Sequence, residues 1–113
     1  MAKYVFVVMT NAAAGQEAEF NRWYDEEHLA DVLKLPGMVS AQRFQVAAEE
    51  ADNPRANLKF LTLYEIETDD LSRTQAALAA AAGTPAMPIS PALDKADVYT
   101  VYFKASGEKV LAR

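Results

Sequence analysis

The chain has 113 residues, of which 51% are hydrophobic and 24% are charged, and its formal net charge is −5. This length and composition are typical of a single globular domain, which we assign to residues 1–113. The 11 Lys and Arg residues are scattered singly in an acidic chain, which argues against nucleic acid or an anionic membrane surface as a partner.

The chain has no cysteine and a single histidine. Disulfides, thiolate metal sites and a cysteine nucleophile are therefore excluded, and one imidazole leaves too few ligands for a transition-metal centre. No apolar run approaches the roughly 18 residues of a membrane span, and the first ten residues do not resemble a secretory signal peptide. We expect a cytoplasmic protein that holds no metal.

The predicted elements alternate between strands and helices. β-Branched and aromatic residues predict four strands, over residues 3–10, 38–46, 58–67 and 98–104. Helical patterns predict two helices, over residues 17–35 and 71–82. Pro36-Gly37 ends the first helix, and Asp70 lies where the second needs an N-cap. Residues 84–97 contain three prolines and no period, so we expect a flap there.

This β-α-β-β-α-β order predicts an α+β fold of the ferredoxin-like type, a four-stranded antiparallel sheet with two helices on one face. The opposite face is then left uncovered. We assign large apolar side chains to it, namely Phe44, Val46, Phe60, Tyr64 and either Tyr102 or Phe103. Because a soluble monomer rarely exposes so large an apolar face, we expect a homodimer that packs sheet against sheet.

The only histidine, His28, falls on the inward face of the first predicted helix, one turn from Tyr24 and one turn from Asp31. A buried imidazole needs a hydrogen-bond partner, and either neighbour could supply one. The Asp31 carboxylate would raise the pKa of His28, whereas burial would lower it. The pattern leaves two interpretations open: a structural histidine between helix and sheet, or a general acid/base beside an apolar pocket.

Three stretches of the chain resemble a known family. Residues 19–29 (EFNRWYDEEHL), 35–44 (LPGMVSAQRF) and 58–67 (LKFLTLYEIE) are similar to the dimeric α/β-barrel (ferredoxin-like) superfamily, and within it to the EthD-like branch. The helix pattern N-x-W-Y-D-x-x-H-L followed by P-G carries most of this resemblance. Many relatives have proline two residues after the histidine, where this chain has Ala30.

The resemblance implies two protomers joined through their sheets, each with a cleft between its sheet and its helices. Relatives include cofactor-free monooxygenases, isomerases and dehydratases of aromatic or polyketide compounds. Carried over by position, the helix histidine that points into the cleft is His28. The other cleft residues by position are Asn11, Tyr24, Arg43 and Tyr64.

We therefore expect an enzyme without a cofactor, whose substrate is a small apolar organic molecule. We expect its cleft to be lined by Phe44, Phe60, Tyr64, Met87 and Ile89, with Asp31 at the rim. His28 would move a proton next to a carbonyl or phenol, and Asn11, Tyr24 or Arg43 would donate to the oxyanion. Isomerisation, dehydration, retro-aldol-type cleavage and oxygenation all remain open.

Two other functions remain open at this point. The dimer could bind an apolar ligand, or protect a pathway partner under stress, without turnover. It could also be a haem protein with His28 as the axial ligand, since ferredoxin-like dimers include haem-degrading enzymes.

Overall fold

Four strands form one antiparallel sheet in the spatial order β2-β3-β1-β4 in the computed structural model, which describes residues 1–113. The strands are β1 (Ala2–Thr10), β2 (Met38–Gln45), β3 (Phe60–Thr68) and β4 (Tyr99–Lys104). The predicted α+β ferredoxin-like topology is confirmed, and β2 and β4 are the edge strands.

The first helical region contains three consecutive parts, α1 (Glu17–Trp23), a π-helical segment (Tyr24–His28) and α2 (Leu29–Leu33). The second helix is α3 (Leu71–Ala81), and a short 3₁₀ turn (Ala48–Glu50) lies in the loop between β2 and β3. As predicted, Asp70 caps α3, because its carboxylate accepts a hydrogen bond from the Arg73 backbone N–H. No helix is long and apolar enough to cross a membrane.

The hydrophobic core lies between the helices and one face of the sheet. At its centre the ring of Phe6 stacks on Tyr102 at 4.1 Å and on Tyr64 at 5.7 Å, so that one row of aromatic rings crosses β3, β1 and β4. Val32 of α2 and Ile66 of β3 close this core. The sheet and the first helical region are thus fixed against each other by apolar burial.

The other face of the sheet is apolar and has no helix over it. The sequence-based assignment of Phe60 and Tyr64 to this face is wrong, and of the two residues left open, Tyr102 faces the core and Phe103 lies on the open face. Phe60 packs on Phe20 of α1 with ring centroids 5.0 Å apart, and Tyr64 and Tyr102 both stack on Phe6. Alternate residues of a strand share a face, but residues 58–64 are apolar at most positions of both faces, so the period could not say which set faces inward.

Leu61 and Leu63 occupy the open face of β3 instead. The strand register places them in two lateral rows, which we call the open-face rows. The first row contains Gln42, Leu63, Val7 and Val101. The second row contains Phe44, Leu61, Met9 and Tyr99.

The turn between α2 and β2 depends on Gly37. Its φ is +86°, a conformation that side chains with a Cβ rarely adopt. A Cβ at this position would meet the Thr74 hydroxyl at 3.2 Å and the Glu67 carbonyl oxygen at 3.3 Å. Thr74 of α3 is itself fixed here, since its hydroxyl donates to the Pro36 carbonyl at 2.7 Å. The turn is therefore constrained by backbone conformation and by close packing together.

We expect Gly37→Ala to destabilise the protein by at least about 1 kcal/mol more than Gly15→Ala. Both glycines have positive φ, but a Cβ on Gly15 would meet nothing within 4 Å. Gly15→Ala should therefore cost only the conformational term of about 1 kcal/mol, whereas Gly37→Ala adds overpacking against Thr74 and Glu67. Urea unfolding of both variants measures the difference, and equal losses would contradict the packing argument.

Candidate functional site

Tyr24 lies at the centre of an aromatic cluster between the first helical region and the sheet. Its side chain is 2% exposed. Its ring lies 5.3 Å from the ring of Phe20, 5.0 Å from that of Trp23 and 5.1 Å from that of His28. The Arg43 guanidinium of β2 covers the same ring at 4.7 Å. Three of the sequence-predicted site residues, Tyr24, His28 and Arg43, are therefore brought together.

The π-helical segment determines how these side chains meet. The backbone N–H of Leu29 donates to the carbonyl of Tyr24, five residues earlier, so the turn is one residue wider than in an α-helix. Trp23 and His28, also five residues apart, then stack with centroids 4.5 Å apart. In a regular α-helix this spacing would point the two side chains about 140° apart. The sequence pattern of a regular helix therefore does not predict this stacking.

His28 is a half-buried imidazole whose Nδ1 is buried without a hydrogen-bond partner. Burial lowers the pKa of His28 to about 4, and the nearby Asp31 carboxylate opposes this only in part. Asp31 forms its ion pair with Lys34 at 3.8 Å instead. Of the two effects that the sequence left open, burial therefore wins, and His28 is neutral at neutral pH.

Arg43 connects the edge strand β2 to the helical region through charge and aromatic contacts. Its terminal nitrogens donate to the side-chain oxygens of Asp25 and Asn21, each at 2.9 Å. Its guanidinium also lies over the rings of Phe20 and Phe60, at 5.4 Å and 5.6 Å. The side chain is 14% exposed, and its Nε is buried without a partner.

Tyr64 of β3 contributes a third buried polar atom without a partner, its hydroxyl oxygen. Burial raises the pKa of this phenol, and burial also raises the pKa of Tyr24. Both hydroxyls are therefore protonated at neutral pH and can act as hydrogen-bond donors. The Tyr24 hydroxyl lies near those of Tyr64 and Thr62, which places the Tyr64 oxygen beside the aromatic cluster.

Asn11 lies outside this cluster, and both ends of its amide are engaged. Its Nδ2 donates to the Asn57 carbonyl at 2.9 Å, and its Oδ1 accepts from the Lys59 backbone N–H at 2.8 Å. These bonds hold the loop that precedes β3.

The predicted apolar walls are divided between the two faces of the sheet. Phe60 and Ile89 pack against the aromatic cluster, and Met87 is buried in the core beside Tyr64. Phe44 lies on the open face and is 39% exposed. Four of the five predicted wall residues therefore lie on the helix side, and Phe44 does not.

The flap at residues 84–97 is ordered against α1 and closes one side of the cluster. The Trp23 indole N–H donates to the Pro88 carbonyl at 3.2 Å, and the Ala13 N–H donates to the Ala92 carbonyl at 2.7 Å. Ala92 is buried among the rings of Phe20 and Trp23. Trp23 thus supports His28 through its ring and the flap through its indole nitrogen, a double role that the sequence did not indicate.

Two cavities lie at opposite ends of the sheet, and neither is lined by His28. The first, of about 300 Å³, is at the end of β2. It is lined by Asn21, Asp25, Arg43, Phe44, Gln45 and Phe60. The second, of about 670 Å³, lies between the far ends of the strands and the C-terminal tail, away from every predicted site residue. No group of three His, Asp or Glu side chains is arranged to hold a metal ion.

Protonation of His28 should destabilise the folded protein in acid. The folded-state pKa of about 4 lies below the ordinary value of 6.5, so the unfolded chain takes up the proton first as pH falls. The contribution of neutral His28 to the free energy of unfolding is thus fully present above pH 6.5. It is lost progressively between pH 6.5 and pH 4, by at most about 3 kcal/mol. The difference in unfolding free energy between wild type and His28→Gln, measured in urea at several pH values, should follow this course.

Trp23 offers a direct local check because it is the only tryptophan. An imidazolium stacked on the indole quenches its fluorescence, so the folded protein should titrate with a midpoint near pH 4. His28→Gln serves as the control and should show no such transition. A midpoint near 6.5 in wild type would contradict the burial argument.

No family model and no curated relative matches the chain, but several solved structures share its fold. The haem-degrader MhuD from Mycobacterium tuberculosis, solved with two haems in its active site, is 17% identical (TM-score 0.59), covering 95% of this chain and 99% of that one. An ethyl tert-butyl ether D (EthD) family protein from Bacillus halodurans C-125 is 17% identical (TM-score 0.55), covering 97% and 100%. A dimeric ferredoxin-like protein of unknown function from Jannaschia sp. CCS1 is 19% identical (TM-score 0.55), covering 91% and 99%. The chain therefore has the fold of the dimeric ferredoxin-like proteins, among which the EthD family occurs, as the resemblance implied.

Proposed function

We propose that the protein is a small cofactor-independent enzyme that acts on an apolar aromatic or polyketide-like oxygenated compound, with His28 as its proton-transfer group. One observation carries this proposal. His28 Nδ1, Arg43 Nε and the Tyr64 hydroxyl are buried without partners and come from three different elements around one aromatic cluster. An unpaired buried polar group costs about 1 to 3 kcal/mol, and an oxygenated ligand would restore the missing hydrogen bonds.

The protonation states assign the roles. Burial keeps His28 neutral at neutral pH, so that its free ring nitrogen can accept a proton there, and the imidazolium that forms readily gives the proton back. The Tyr64 phenol and the Arg43 Nε–H are donors, suited to an oxygen that gains negative charge. His28 would remove a proton from the carbon next to a carbonyl, the electron pair would move to the carbonyl oxygen, and the His28 imidazolium would return the proton to another carbon to complete an isomerisation.

The surroundings favour a flat apolar substrate. Phe20, Trp23 and Phe60 supply aromatic faces around the polar atoms. Arg43 lines both this cluster and the cavity of about 300 Å³ at the end of β2. We assign that cavity as the approach to the site.

We also propose that the protein is a homodimer in the cytoplasm, formed through the open face of the sheet. The open-face rows place Val7, Leu61 and Leu63 side by side, and Tyr99 and Phe103 at the edge are 49% and 54% exposed. A second copy of the same face would cover this apolar surface by a two-fold axis. The dimeric ferredoxin-like protein from Jannaschia sp. CCS1 has the same fold.

Binding without turnover is the second candidate, and the closed packing around His28 favours it, since neither of these two cavities reaches the imidazole. A haem role fits the residues less well. An axial histidine ordinarily donates its second ring N–H to an oxygen acceptor, whereas His28 Nδ1 has no acceptor. Absorbance of the purified protein mixed with haem tests this alternative directly, through a Soret shift that His28→Ala abolishes.

The catalytic proposal is tested by screening aromatic and polyketide-like carbonyl compounds for turnover, followed by kinetics of His28→Ala and Tyr64→Phe. We expect His28→Ala to lower kcat by at least about 100-fold, and Tyr64→Phe to lower kcat more than it changes KM, because its donor acts on developing charge.

Gln75→Glu, on the exposed side of α3, serves as the control. Turnover that survives His28→Ala unchanged would remove the proton-transfer role. Saturable binding without turnover of any compound would favour the second candidate.

The dimer is tested by Leu63→Glu, which places a charge in the middle of an open-face row. We expect wild type to have the mass of a dimer by light scattering and Leu63→Glu to shift towards monomer. Gln75→Glu, on the exposed side of α3, is the control and should leave the mass unchanged. A monomeric wild type at micromolar concentration would contradict the proposal.

A further inference from the structure

We propose that Arg43 is the docking point for a carboxylate, or a comparably acidic oxygen, of the ligand, and that this group binds by displacing the side chain of Asp25. The inference rests on the proposed function and specifies its substrate class as acidic aromatic compounds. It follows from the unequal environments of the two partners in this ion pair.

Asp25 and Arg43 are joined by one hydrogen bond of 2.9 Å, but their side chains are 59% and 14% exposed. A pair with one exposed partner contributes little, because water and salt screen it and because the exposed side chain loses freedom to form it. Asp25 can therefore rotate into solvent at small cost. Arg43 cannot follow, since its guanidinium is packed over three aromatic rings.

Arg43 therefore needs an anion beside it, and it offers more donors than its protein partners use. Its two terminal nitrogens have acceptors in Asp25 and Asn21, whereas Nε has none. A planar carboxylate binds a guanidinium through two parallel hydrogen bonds, a geometry that a single Asp25 oxygen does not supply here. A ligand carboxylate that replaces Asp25 would bind Nη1 and the adjacent N–H of Nη2 through two parallel hydrogen bonds.

The cavity at the end of β2 has the composition that such a ligand requires. Phe60 supplies apolar surface for an aromatic ring on the helix side, Phe44 lines the cavity from the open face, and Asn21 and Gln45 supply amide donors. Asp25 is the one anion in its lining, so it repels an acidic ligand until it moves away. Asp25 thus discriminates against acidic ligands that cannot engage Arg43.

The test uses 2-naphthoate and its uncharged amide, 2-naphthamide, as probes in isothermal titration calorimetry. We expect wild type to bind 2-naphthoate, and Asp25→Asn to bind it about two- to fivefold more tightly, which corresponds to losing a weak competing ion pair. Glu26→Gln is the matched control. It also removes one negative charge, at the residue next to Asp25, but the Glu26 carboxylate pairs with Arg22 and not with Arg43. It should change the affinity less than twofold.

Arg43→Gln should weaken 2-naphthoate binding by at least about tenfold, and 2-naphthamide should not respond to Asp25→Asn. Arg43→Lys, which keeps the charge but not the planar fork, should fall between wild type and Arg43→Gln; circular dichroism verifies that both variants fold. If they do not, the comparison of Asp25→Asn with Glu26→Gln still decides the matter.

Equal tightening by Asp25→Asn and Glu26→Gln would overturn the proposal, because it would indicate a general charge effect. The proposal would also be overturned if wild type and Asp25→Asn both fail to bind 2-naphthoate, or if both bind 2-naphthoate and 2-naphthamide equally. None of these outcomes depends on turnover. The catalytic proposal fails separately, if His28→Ala leaves turnover of a substrate unchanged, and His28→Gln should retain the 2-naphthoate response in either case.

Discussion

The contact between the Arg43 guanidinium and the ring of Tyr24 holds the site together. β2 is an edge strand that pairs only with β3, so its outer side has no backbone partner. Arg43 ties this strand to the helical region by lying over three aromatic rings and donating to Asp25 and Asn21. Because Tyr24 also contacts His28, one cation orders the ring on which the position of the histidine depends. Loss of Arg43 would disturb β2 and the imidazole together.

The π-helical segment gives this arrangement its direction. One extra residue in the turn rotates α2 relative to α1, so that Trp23 can stack on His28 while Val32 still reaches the core. The indole then extends the same cluster to the flap through Pro88. The helical region, the flap and the sheet are therefore connected through the neighbouring rings of Phe20, Trp23 and Tyr24. A movement of the flap that breaks the Trp23–Pro88 bond would expose the indole that covers the imidazole.

The order of the elements could be read from the sequence because each boundary has a local chemical cause. Pro36-Gly37 ends a helix, Asp70 caps one, and β-branched runs form strands, all within two residues of the predicted positions. The faces of β3 could not be read, since Leu61 and Leu63 are as apolar as Phe60 and Tyr64. No residue pattern marks the π-helical segment, so the stacking of Trp23 on His28 could not be predicted from the sequence. The competition between Asp31 and burial for His28 depends on distances, which spacing along a helix does not fix.

The unpaired polar atoms of the cluster also constrain its evolution. A chain with a stability of about 5 to 15 kcal/mol loses a substantial share of it to three buried groups that each lack a partner. Phenylalanine in place of Tyr64 would keep the packing and remove one such cost. A ligand that satisfies all three atoms would return that free energy on binding, so affinity and apo-protein instability have the same physical origin.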